Sequence, residues 1–261
     1  MKYWIAGCLL GMTLLPGVAG AETPEEKGLA IALEDDRRDN GFGDYQAEMV
    51  MTLKNRQGET SQRFLRTRNK EVEGDGDKSI VIFDRPRDVK GTALLNYSHK
   101  DGNDDQWLFL PALKRVKRIS SDNKSGAFMG SEFAYEDITS QEVEKYTYKW
   151  LREEPLEGEP CFVFERVPVY SNSGYSRQVV WLDQKEYRIF RIDFYDRKGD
   201  LLKTLTHRGH RKYLDRFWYP HEMFMVNHQT GKSTLLEWSD YQFGNGFQEE
   251  DFDQNSLKRA R

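Results

Sequence analysis

From Asp44 onward, apolar side chains recur at every second position, and that rhythm is interrupted about every ten residues by turn-forming residues. In residues 44–55, Tyr45, Ala47, Met49, Met51 and Leu53 fall on one side, and Gln46, Glu48, Thr52 and Lys54 on the other. Successive side chains of a strand point to opposite faces, so this is the pattern of a half-buried β-strand. Residues 60–68, 79–83, 92–97, 106–110, 145–151, 161–169, 177–182, 188–195, 201–207, 217–226 and 233–238 continue it as short apolar runs. Between them stand hairpin signals: Arg56-Gln57-Gly58-Glu59, Glu157-Gly158, the Asp196 to Asp200 turn around Gly199, and Thr230-Gly231. Short strands joined by tight turns predict a meandering antiparallel sheet or barrel.

Two segments break the rhythm. Thr23-Pro24-Glu25-Glu26 has capping-box spacing with proline at the first helical position, and Asn40-Gly41 closes the segment. A helix is therefore expected near residues 24–40, with Leu29, Ala30 and Leu33 on one face. Residues 120–138 are punctuated by Gly and Ser and are expected to form a loop that turns helical from Ser131. The fold class expected is mainly β (α+β). Aromatic residues make up 13% of the chain although its mean hydropathy is −0.80. A sheet with one polar face and one ring-rich face satisfies both values, and the ring-rich face needs a cover or a ligand.

The N-terminus reads as an export signal. Lys2 precedes an apolar stretch from Tyr3 to Leu15, Pro16-Gly17 ends it, and Ala19-Gly20-Ala21 is a small-x-small cleavage pattern. The stretch is shorter than the ~20 residues that span a bilayer. Residues 1–21 are thus expected to be removed, leaving 22–261 as one exported domain in the periplasm. Ile5-Ala6-Gly7-Cys8 looks like a lipobox, but most of the apolar stretch lies after it, which argues against lipidation. Only Cys161 then remains, within an apolar strand and with no disulfide partner, so burial alone must hold the fold.

Searches for chemistry are negative. Gly231-Lys232-Ser233 lacks the P-loop's first glycine, because Val226 occupies that place. Gly174-Tyr175-Ser176-Arg177-Gln178 lacks the second glycine of a nucleophile elbow. Asp101, Asn103 and Asp105 have calcium-loop spacing, but Gln106 and Ala112 stand where Gly and Glu belong. The five histidines are scattered. No enzyme activity, cofactor or metal is expected, and a net charge of −4 on an exported chain argues against nucleic acid. One charged run is distinctive: Lys114, Arg115, Lys117 and Arg118 border the loop after residue 120. They suit docking to anionic headgroups or an acidic partner, giving peripheral membrane contact.

Several runs together resemble the outer-membrane lipoprotein-sorting-like family of the LolA/LolB-type carrier superfamily. These are Asp84-Arg85-Pro86, Lys90 to Leu95, Trp107 to Val116 and Phe128 to Ile138, followed by Tyr195 to Gly199, Trp218-Tyr219-Pro220 and Thr230 to Thr234. The resemblance implies a strongly curved antiparallel sheet forming an unclosed barrel, with a few short helices covering a concave hydrophobic face. It implies a carrier of lipid or lipoprotein acyl chains across the periplasm, working with an inner-membrane exporter of the resistance-nodulation-division (RND) type. A sensor or adaptor module that binds a partner protein in envelope signalling is the alternative use of such a fold. Within this picture Met49, Met51, Leu94, Trp107, Phe109, Phe128, Met129 and Phe133 are the expected ligand-binding residues. Trp107 and Phe109 are expected to face the concavity, with Phe128 and Met129 on a loop at its mouth. Apolar burial contributes ~25 cal/mol per Å², so an acyl chain can be held without any reactive group.

Overall fold

The computed structural model describes residues 21–120 and 123–259. Ala21 apart, the expected export signal lies outside these residues. The first element is helix α1, Pro24–Asp39. Thr23 caps it: its hydroxyl accepts from the Glu26 amide at 3.1 Å, and the Glu26 carboxylate accepts from the Thr23 amide at 2.8 Å. The face it buries is not the expected one. Gly28, Ile31 and Ala32 are buried, whereas Leu29 and Leu33 are exposed. Gly28 explains the choice, since a Cβ there would lie 2.7 Å from the Trp150 amide nitrogen; the helix sits directly on a strand's backbone.

Among the described residues, thirteen strands form one antiparallel sheet. The first six, β1 (Asp44–Lys54), β2 (Thr60–Lys70), β3 (Lys78–Arg85), β4 (Ala93–Tyr97), β5 (Asp105–Leu110) and β6 (Arg115–Ile119), pair in sequence. So do β7 (Tyr146–Leu156), β8 (Glu159–Pro168), β9 (Tyr175–Asp183), β10 (Ile189–Asp196) and β11 (Leu201–Arg208). The chain leaves the sheet for a small hairpin, β12 (Arg211–Tyr213) with β13 (Phe217–Tyr219). It returns as β14 (Glu222–Asn227) and β15 (Ser233–Phe243), and β15 pairs with β1 to join the two halves. The free edges are β6 and β7, so the strongly curved sheet stays an unclosed barrel. The expected turns recur, fixed by side chains of the kind that favours them. Asn55 Oδ1 accepts from the Gln57 and Glu59 amides, and Asp196 Oδ1 from those of Lys198 and Asp200. Strand β6 was expected only as a basic run, and the single run expected over 217–226 is two strands.

Residues 123–145, between the two edge strands, cross the concave face and plug one end of it. Phe128 and Phe133 insert at 0% and 1% exposure, and the Phe128 ring lies 5.8 Å from that of Phe83. Lys203 Nζ donates to Glu132 O (2.9 Å) and to Asp137 Oδ2 (2.7 Å), while Tyr175, Ser173 and Gly174 bind the two carboxylates of Glu136 and Asp137. Where the plug begins and ends, Lys124 and Lys145 are buried against Asp104.

The sheet is covered on its convex face too. Ile80, Ile82, Ala93 and Leu95 point outward under Phe252 and Leu257, the latter in helix α2 (Gln254–Arg259). Cys161 lies in a second convex patch with Val163, Val179, Trp181 and Phe190; it is fully buried, and burial pushes its thiol up to about 11.

Candidate functional site

The other end of the concave face is open. There a cavity of about 1370 Å³ lies between the sheet and three covers: the last turns of α1, the β12–β13 hairpin, and the segments around residues 71–77 and 138–143. Its floor is apolar, built by Val81, Phe164, Ile192, Phe194, Leu205 and Leu236 from strands β3, β8, β10, β11 and β15. The alternation of each strand puts these residues on the concave side.

Specific contacts anchor the covers. Arg216 Nη2 donates to the carbonyls of Arg37 (3.1 Å) and Asn40 (2.5 Å), tying the hairpin to the end of α1. Trp218 Nε1 donates to Glu186 Oε2 at 2.9 Å. Tyr45, Tyr219 and Tyr241 form a ring cluster at the rim, with Tyr219 and Tyr241 stacked at 5.5 Å.

The mouth is acidic. Asp35, Asp36 and Asp39 from α1, Glu71 and Asp77 from the β2–β3 connection, and Glu142 all line it. None of these six carboxylates makes an ion pair among the described residues; Glu71 accepts instead from the amides of Gly41 and Gly43. Burial, followed by the charge of Asp39, pushes Asp35 up to about 8. Burial and Glu71 push Asp39 up to about 6, and burial with Glu142 pushes Asp77 up to about 7. Asp39 is exposed but lines the cavity, where the surrounding protein still separates it from part of the bulk water. On the floor, burial lowers His207 to about 3 and His210 to about 4, so both are neutral at pH 7.

Of the residues expected to bind ligand, Phe133 alone lines the cavity, approaching from the plug. Met49, Met51, Leu94 and Phe128 fill the concave core at the plugged end, with Met129 packed against them. Phe128 is thus a plug inside the core, where a residue at the mouth was expected. Trp107 and Phe109 lie on the convex face with Ile80, Ile82 and Phe252, contrary to the expected concave orientation. Their neighbour Leu108 faces inward instead. Lys114, Arg115, Lys117 and Arg118 are exposed on and beside edge strand β6, where charge also discourages pairing with another chain; Arg118 pairs with Asp105. The acidic mouth had one legible signal. Asp36 and Asp39 occupy the last turn of α1, where the helix dipole disfavours negative charge.

No group of three or more His, Cys, Asp or Glu side chains among the described residues is placed to hold a metal ion, and no described helix is long and apolar enough to cross a membrane. A protein-family model described as "uncharacterized protein" matches residues 75–259. Among solved structures, the chain is similar to an outer membrane lipoprotein-sorting protein domain from Vibrio parahaemolyticus, with 59% identity, a TM-score of 0.89, and coverage of 90% of this chain and 100% of the other. It is similar to a DUF1329 family protein from Desulfovibrio piger at 32% identity and a TM-score of 0.85, covering 90% and 99%. A LolA superfamily protein from Nitrosomonas europaea shares the fold at 20% identity and a TM-score of 0.71, covering 88% and 98%. The search of curated proteins finds no match.

Proposed function

We propose, from the premise that this chain belongs to the outer-membrane lipoprotein-sorting family of LolA-type proteins, that it is a periplasmic carrier whose open-end cavity holds the apolar part of a lipid or lipoprotein. The observation that carries this reading is the cavity itself: about 1370 Å³ with a floor of Ile192, Phe194, Leu205 and Leu236, left unfilled in a sheet whose other end is packed shut. Ligand sites are typically concave, largely preformed and mostly apolar, with a few polar groups that set orientation. Burial of an acyl chain on such a floor supplies affinity without chemistry, so no enzymatic step is part of the proposal. An RND-type exporter is proposed as the partner that delivers or receives the cargo. The exposed cations at Lys114, Arg115, Lys117 and Arg118 are proposed as the docking surface.

The test is native mass spectrometry of protein purified from the periplasm, together with titration by a fluorescent fatty-acid probe. Co-purified lipid, or saturable probe binding displaced by unlabelled acyl chains, is the expected result. Protein that carries no lipid and binds no apolar probe overturns the carrier reading.

A further inference from the structure

We propose that the cavity selects amphiphiles with a cationic, ammonium-type headgroup, held by Asp39, Asp77 and Glu71 at the mouth while the apolar chain lies on the floor. The inference rests on the carrier reading and adds the chemistry of the cargo's head.

Three observations lead to it. First, carboxylates outnumber cations in the cavity lining, and the six at the mouth form no ion pair among the described residues. Asp39 faces Asp36 and Glu71; Asp77 faces Glu71, Glu142 and Asp39, with Ser140 as a weak donor at 3.4 Å; Asp35 faces Asp36 and Asp39. Lys100 and Lys145 offset part of the charge at Glu142, while three nearby arginines make their hydrogen bonds to other groups. Arg216 donates to the carbonyls of Arg37 and Asn40, Arg166 to Gln178 Oε1 at 2.7 Å, and Arg38 to Glu34 and the Lys185 carbonyl. Like charges held this way oppose folding, and a cation arriving with the ligand relieves that opposition.

Second, the cavity wall carries buried polar atoms that have no partner. Thr67 and His207, only 3% and 8% exposed, line the same cavity, and Thr67 Oγ1 and His207 Nε2, shielded just behind its surface, make no hydrogen bond among the described residues. Trp238 Nε1 is a third such atom on this wall. Buried polar groups are normally satisfied. A hydroxyl, a neutral imidazole and an indole N–H suit an uncharged polar linkage, such as an ester or amide, between a charged head and an apolar chain.

Third, the geometry points to an organic cation. No three acidic or histidine side chains converge as metal ligands among the described residues. The rim instead carries the clustered rings of Tyr45, Tyr219 and Tyr241, and aromatic rings attract ammonium groups.

The experiment compares three probes of equal chain length below their critical micelle concentrations: dodecylammonium, dodecanol and dodecanoate, titrated calorimetrically into the intact exported chain at low salt. Dodecylammonium is expected to bind at least about tenfold more tightly than dodecanoate, with dodecanol between them, and added salt is expected to narrow the gap. Binding of the ammonium should also release protons, because a cation favours the ionised carboxylates; buffers of different ionisation enthalpy read this directly. Asp39→Asn combined with Asp77→Asn should bring the ammonium's affinity down to that of dodecanol. Equal affinity for all three probes, or preference for the anion, overturns the headgroup inference and leaves the carrier reading standing. Binding of none of them overturns both. The comparison in the unaltered protein decides the question even if the double variant fails to fold.

Discussion

The two ends of the concave face are built from the same strands and have opposite character. At one end Met51 and Phe83 meet Phe128, whose ring is driven in by the connection between the edge strands. At the other end the same strands present Tyr45, Thr67 and Val81 to an open cavity. The plugged end is dense, and its buried Glu136 and Asp137 are met by Ser173, Gly174, Tyr175 and Lys203. The open end keeps unpaired carboxylates, unpartnered polar atoms and an unfilled apolar floor. The lesson is a division of labour. Unpaired carboxylates gather at the end where a bound ligand would offset their cost, and local rules are typically broken at functional sites.

The largest effect that tests this contrast is removal of the plug's ring. Phe128→Ala deletes a fully buried aromatic and should cost about 3–5 kcal/mol, lowering the melting temperature by about 10 °C. Met223→Ala, on a half-buried residue at the cavity wall, should cost only about 1 kcal/mol yet weaken binding of a fluorescent fatty-acid probe. Equal loss of stability in both variants, with unchanged probe binding in each, would erase the distinction between the ends.

A smaller effect concerns pH. Asp35, Asp39 and Asp77 have folded-state values raised to about 8, 6 and 7, above the ordinary carboxylate value. The folded chain therefore holds protons that the unfolded chain has already released, and these groups favour folding less and less as pH climbs from about 4 to about 8. Asp77→Asn should raise the melting temperature by on the order of 3 °C at pH 8, discounted for solvent access, and by nothing near pH 4. Thermal melts across that range check the sign; destabilisation at pH 8 would mean that the carboxylate has a structural partner. His207 works in the opposite direction. Its value is lowered to about 3, so its contribution is complete above about 6.5 and is lost as pH falls below that.

The smallest effect on folding is expected far from both ends. Replacing Lys114, Arg115, Lys117 and Arg118 by Ser should leave stability within about 0.5 kcal/mol, apart from the loss of the Arg118–Asp105 pair. Binding to vesicles containing anionic lipid should fall by about 1 kcal/mol per cation removed, with the difference vanishing at high salt. Sedimentation with such vesicles measures it, and unchanged binding would reduce these residues to guards of an edge strand.

Where sequence reading failed, the failures have particular causes. Strand β6 was concealed by its cations, because Arg115, Lys117 and Arg118 break the period of two and leave only Val116 and Ile119 as apolar residues on an edge strand. The buried face of α1 was misassigned because Gly28 packs by having no side chain, which no apolar pattern reveals. The acidic mouth was scattered over α1, the residue 71–77 segment and residue 142, each reading as ordinary solvated charge. Only the two aspartates at the C-terminus of α1 were out of place on sequence grounds alone.

The chain's own pattern determined the strands, their turns, the cap of α1 and the antiparallel order, because these depend on neighbours within a few residues. Tertiary structure decided which face of each strand became the interior. In β3, Ile80, Val81, Ile82 and Phe83 are all buried, alternately beneath α2 and its preceding turn and toward the concave core. A period of two states that a strand has two faces, but when both are covered the pattern carries no mark of which is concave. That choice belongs to the covers: the plug with Phe128, the C-terminal segment with Phe252 and Leu257, and the hairpin that leaves the cavity between them unfilled.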